Sequence, residues 1–266
     1  MSQSTLTTNN EPTSNGPATY RRGLIAAGVL IIAATWLFLV IARPTEWDSV
    51  GASAPALITL VGYVAGAACL LIASLPTLPT RTIALIPMAL VLNIVVGQIV
   101  GSFGIPLYLD SVGTVLVAAL TGPVGGLVTG ALSSVVWGLF NPAALPFAAV
   151  SAATGALAGW AVKRGAFRNL LTAIVSGAVI GIVCGMLAAP VAAFVYGGTA
   201  GVGTGAIVSA FREMGNSLLQ SVTMQSFISD PLDKALVMAL VWATVKALPK
   251  RTLAQLSPRG ESGVED

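Results

Sequence analysis

One carboxylate stands alone in the middle of this chain. Residues 105–123 read IPLYLDSVGTVLVAALTGP, and Asp110 is the only charged residue between Arg81 and Lys163. A carboxylate there can do two things, and they can coexist. It can cap the helix that follows by accepting its free backbone N–H groups, or it can contact a solute. Tyr108 and Trp137 suit either an interfacial aromatic belt or a wall against a planar ring. Asn141, just before Pro142, is a turn residue or an amide that orients a solute. Arg212, Glu213 and Asn216 form either a solvated polar face or a site in which Arg212 pairs with a carboxylate or phosphate. Asp230, Pro231 and Asp233 read as a helix start, with a cap, a proline at the first position and an acid in the first turn. Lys234 then points to the outer interface and snorkels. Trp160 and Arg164 read as anchors at the opposite end.

The residue inventory also excludes chemistry. The chain has no histidine, so the usual general base and the commonest metal ligand are absent. Its two cysteines, Cys69 and Cys184, lie in separate apolar runs and form neither a disulfide framework nor a CxxC pair. No P-loop is present, so the chain supplies no ATPase of its own. No catalytic residue, metal or cofactor is expected, and no nucleic-acid partner.

The elements that position these residues are membrane helices. The 266-residue chain is 55% hydrophobic and 9% charged, with a mean hydropathy of +0.88; a soluble domain carries roughly 25% charged residues. Uncharged runs cover residues 53–80, 111–162 and 169–211, each longer than the ~20 residues of one spanning helix. No alternation typical of a barrel is visible. The fold class is therefore all-α and polytopic. Apolar segments are expected at 24–41, 54–75, 82–101, 109–120, 124–140, 147–162, 170–194 and 232–248. The connection 196–229 starts Gly-rich and continues as an amphipathic helix, with Ile207, Phe211, Met214, Leu218 and Leu219 on its apolar face. A broken membrane helix is the alternative. Residues 1–20 and 251–266 read as disordered cytoplasmic tails. With the N-terminus inside, ten Lys and Arg residues fall on the inner side and three on the outer, which matches the positive-inside rule. This describes a multi-pass protein of the cell membrane with both termini cytoplasmic.

Small residues recur every fourth position: Gly177, Gly181 and Gly185; Ala235, Ala239 and Ala243; Gly97 and Gly101. Such stripes let helix backbones approach closely, either inside one bundle or against another membrane subunit.

The run IPLYLDSVGTVLVAALTGPVGGLVTGALSSVVWGLFNP, with SDPLDKAL much later, resembles the substrate-binding S components of energy-coupling factor (ECF) vitamin transporters. The matching features are the Pro/Tyr/Asp-containing loop before a short helix, the helix-ending Gly122-Pro123, the Gly-rich helix after it, and the Asp-Pro-x-Asp-Lys run at Asp230. The resemblance spans residues 81–248. It implies a six-helix core at 81–250, preceded by two additional helices at 21–80. It also implies capture of a vitamin or related solute on the outer side. Partners would be a transmembrane coupling subunit and two ATPases. The Ala-x-x-x-Ala that many S components carry on their first helix is missing, since Ala84 is followed by Met88. Two other readings stay open: a membrane sensor or scaffold bundle, and a stand-alone secondary transporter. The sparse charges favour a neutral or weakly charged solute.

Overall fold

The computed structural model describes residues 16–44, 53–78, 80–198 and 201–249. Among them every regular element is helical. The order is α1 (Gly16–Ala42), α2 (Ala54–Ser74), α3 (Thr80–Ser102), α4 (Val112–Thr121), α5 (Pro123–Gly138), α6 (Ala148–Lys163), α7 (Leu170–Tyr196), α8 (Val202–Glu213) and α9 (Leu218–Ala247). Short 3₁₀ turns occupy Leu75–Thr77 and Pro142–Phe147. Five stretches are long and apolar enough to cross a membrane: α1, α2 with its following 3₁₀ turn, α3, the 3₁₀ turn with α6, and α7. The protein is an all-α polytopic membrane protein. The expected tails fall largely outside the described residues, although α1 already begins at Gly16.

The bundle is held by close backbone contacts at small residues. α7 and α9 run antiparallel, and a Cβ added at Gly177 or Gly181 would meet the backbone of α9 at Lys234–Ala235 and Asp230–Pro231. α5 and α6 cross in the same way, Gly126 on Gly155 and Gly130 on Ser151. Most of the small-residue stripes therefore serve contacts within the bundle. Gly97 faces Trp137 and Asp110, and Ala235 faces Gly177. Ala239 is half-buried, while Ala243 and Gly101 are exposed. α1 and α2 pair antiparallel and join the rest of the bundle. Trp36 donates its indole N–H to the Leu187 carbonyl at 3.0 Å, and the buried Tyr63 donates to the Pro146 carbonyl at 3.3 Å.

Three expectations change. First, residues 206–227 do not form one amphipathic helix. α8 ends at Glu213, Gly215 follows with φ 91, and a Ser217–Gln220 capping box starts α9. The buried face of α8 is Thr204 and Val208; Met214 and Leu219 are exposed. Second, Asp230-Pro231 does not start a helix. α9 is continuous for 30 residues and Pro231 lies inside it. A proline is tolerated inside a membrane helix when packing stabilises the surrounding segment, and here Gly181 seats α7 directly on that turn. Third, Lys234 does not reach an interface; it is buried.

α4 is the unusual element. Its 10 residues span about 15 Å, half of a bilayer's apolar core. Its N-terminus therefore starts inside the bundle and needs partners there. Asp110 is not its cap. Ser111 occupies the N-cap position without a side-chain capping bond, and the fully buried Asn93 of α3 acts instead. Asn93 Oδ1 accepts from Gly113 N at 2.7 Å and Thr114 N at 3.4 Å, and its Nδ2 donates to Thr114 Oγ1 at 2.8 Å and Ser133 Oγ at 3.1 Å. Gly113 is needed because the Ala89 backbone occupies the place of a Cβ. Asn93→Leu would strand two backbone donors away from water, so it should lower stability by about 1–3 kcal/mol. Thermal unfolding in detergent measures this, and an unchanged midpoint would rule out the capping role.

Candidate solute-binding site

α9 carries a buried polar face that includes Gln225, Ser226, Asp230, Asp233 and Lys234. Asp233 is fully buried. Its Oδ1 accepts the consecutive backbone N–H groups of Tyr108, at 2.9 Å, and Leu109, at 2.7 Å. Leu109 has φ 47, a left-handed conformation that is uncommon for leucine. It helps turn both N–H groups toward one carboxylate, a backbone nest for an anion. Asp233 Oδ2 accepts from Lys234 Nζ at 2.7 Å. The same ammonium donates to Ser111 Oγ at 3.1 Å and to Asp110 Oδ1 at 3.4 Å. The pair thus ties the loop at 103–111 to the middle of α9. Lys234 is the seventeenth residue of that helix's 30, so this anchor lies halfway along the bundle.

Above the anchor is a cavity of about 430 Å³, within the usual range for small-molecule sites. Its walls come from the second halves of α3 and α5, the start of α6, the end of α7, the start of α8 and the first half of α9. Asp110, Lys234, Ser133 and Thr154 are among its polar lining, and Trp137 and Phe147 give it aromatic surface. Ser134 and Ser151 share a hydroxyl hydrogen bond at 2.8 Å on its wall. Gly97 leaves room for the Trp137 ring, whose Cη2 would lie 2.9 Å from a Cβ there. Gly203 of α8, also in the lining, rests on the backbone of Gly104 and Ile105.

The sequence-derived candidates divide into two groups. Tyr108, Asp110, Trp137 and Asn141 all line the cavity. Asn141 also caps the 3₁₀ turn, accepting from Ala143 N at 3.2 Å. Arg212, Glu213 and Asn216 are not among the lining residues. Arg212 and Glu213 are exposed, and Asn216 donates to the Phe211 carbonyl at 3.1 Å to close the end of α8.

Sequence reading missed the α9 face. Gln225, Ser226, Asp230 and Lys234 line the cavity and are each at least nine-tenths buried. Among the described residues, two of their polar atoms, Gln225 Nε2 and Asp230 Oδ2, have no hydrogen-bond partner, and neither do Ser221 Oγ and Ser229 Oγ nearby. The clue was the spacing: Ser226, Asp230 and Lys234 recur every fourth residue, one face of a helix. Treating Pro231 as a helix start hid that continuity.

The direction of each helix sorts the charges by end. Arg21, Arg22, Arg81, Lys163, Arg164, Arg168 and Lys246 lie at one end of the bundle; Arg43 and Arg212 lie at the other. The cavity occupies the half away from the basic cluster. No family model matches the chain, and no curated protein or solved structure matches it either.

Proposed function

We propose that the chain is a membrane-embedded solute-capture subunit of an ECF-type importer. The observation that carries this reading is the cavity itself. It is large enough for a vitamin-sized molecule, walled by aromatic and polar side chains, and lined by buried polar atoms that have no hydrogen-bond partner among the described residues. Buried polar groups of this kind ordinarily find a partner, and a solute would supply it. The excess of Lys and Arg at the far end supports a cytoplasmic location for that end and an outward-facing mouth. Both termini are then cytoplasmic, in the cell membrane. Release of the solute inward would require a coupling subunit and ATPases. The exposed small residues Gly101 and Ala243 are candidate contacts for that subunit; Gly177 and Gly181 are already occupied by α9.

A secondary transporter keeps one supporting observation. Asp230 and Asp233 are buried acids inside a helix, the kind of group that carries protons in such carriers. Two measurements separate the readings. The tagged chain is purified from its native membrane and examined for ATPase subunits, and the chain alone is screened with vitamins and their precursors by thermal shift. Capture by an importer subunit predicts both a copurifying ATPase and a stabilising solute. Solute binding without any ATPase partner would favour the carrier, and neither result would dismiss capture.

A further inference from the structure

Resting on the solute-capture reading, we infer that the cavity takes an organic cation: a small molecule with a protonated or permanently charged nitrogen and a planar body. The charge balance leads there. Three carboxyl groups, Asp110, Asp230 and Asp233, accompany one ammonium, Lys234, which pairs with Asp110 and Asp233. Asp233 and Lys234 satisfy one another, and the Tyr108 and Leu109 N–H groups complete Asp233. What remains facing the cavity is a pair of carboxyl groups, Asp110 and Asp230, that Lys234 does not fully satisfy. Asp110 has only the long 3.4 Å contact to Lys234 and keeps 32% of its side chain exposed. Asp230 is 5% exposed and its Oδ2 accepts no hydrogen bond. A buried carboxylate without a counter-charge is costly, and a cation from the solute removes that cost.

The rest of the lining fits the same molecule. Gln225 is 3% exposed and presents a free amide donor, which suits an acceptor atom elsewhere on the solute. Trp137 offers the aromatic surface that attracts a cation or stacks on a planar ring. The cavity volume far exceeds that of a bare ion, so the cation is organic. This replaces the neutral or weakly charged solute expected from the sparse charges in the sequence.

A matched set of indoles tests the inference: tryptamine as the cation, tryptophol as the neutral analogue and indole-3-acetate as the anion. Equilibrium dialysis against the purified full chain at neutral pH should show tryptamine bound at least about tenfold more tightly than tryptophol, the scale of one charge-assisted hydrogen bond. Indole-3-acetate should bind most weakly. Asp230→Asn should remove the preference for tryptamine and leave tryptophol nearly unchanged. Asp110→Asn, at a more exposed position, gives a second reading if Asp230→Asn does not fold. Equal affinities for tryptamine and tryptophol, or a preference untouched by either substitution, would overturn the cation inference. Failure of all three indoles to bind would overturn it as well. In each of those cases the vitamin screen still decides the capture reading by itself.

Discussion

Lys234→Met should destabilise the protein by about 3–5 kcal/mol, the scale of breaking one partner out of a buried ion pair. The loss has a specific origin. Asp233 is fully buried and takes its short 2.7 Å contact from Lys234; without the ammonium its charge has only two backbone donors to face. Asp110 and Ser111 lose their contacts to the same nitrogen, so the loop at 103–111 should loosen with it. Lys234→Arg should not rescue the anchor, because a planar fork does not replace a compact ammonium among three oxygen partners. Adding Asp233→Asn to Lys234→Met should recover much of the loss. The Asn Oδ1 can still accept from Tyr108 and Leu109, and the uncompensated charge at position 233 is gone. Unfolding of each variant in detergent, read by helical signal, measures the coupling. A loss below about 1 kcal/mol for Lys234→Met would show that the pair does not anchor the loop.

Gly181→Leu should be at least as damaging, for a different reason. Its Cβ would enter the space held by the Asp230 carbonyl and Pro231 Cα. Backbone cannot swing aside as a side-chain tip can, so α7 and α9 must separate along their whole contact. A cost of about 3 kcal/mol is expected from overpacking alone, with loss of the cavity wall that α9 forms. The stripe contains its own control. At Gly185 the nearest atoms would lie 3.4 Å from a Cβ, ordinary contact, so Gly185→Ala should cost little. Gly101 has nothing within 4 Å, and Gly101→Ala should be neutral or stabilise by about 0.5–1 kcal/mol through helix propensity. Thermal midpoints in the order Gly101→Ala, Gly185→Ala, Gly181→Leu, from highest to lowest, are the expected outcome. Equal midpoints would mean that the α7–α9 contact is not a backbone seam.

How much of this was legible in the residues follows from what each signal measures. Hydropathy runs report helices that face lipid, and all eight apolar segments have a helical counterpart. The same signal ends where a helix turns polar toward an internal cavity, so the first half of α9 went unread as part of the last span. Pro231 compounded this: proline after aspartate is a good start signal for a helix in water, but a membrane helix can continue through it when a neighbour packs closely. Asp110, Tyr108, Trp137 and Asn141 were picked out as rare polar or aromatic residues in apolar surroundings, and they share the cavity. Arg212, Glu213 and Asn216 were chosen on the same basis, yet rarity does not distinguish a cavity from the exposed end of a surface helix. Asn93 is one polar residue in an apolar helix, and nothing in its sequence surroundings marks it as a cap. Its role depends on α4 being too short to reach the surface, which only the three-dimensional arrangement reveals.

The central claim is that the cavity holds a small solute, and its most direct test is binding to the protein purified alone. Equilibrium dialysis against the vitamin that gives the largest thermal shift should show saturable one-to-one binding. Trp137→Ala should weaken it by at least about tenfold, as expected when an aromatic anchor leaves a buried pocket, while the helical content stays unchanged. Absence of saturable binding for every vitamin and precursor tried, or binding that Trp137→Ala leaves intact, would contradict the account.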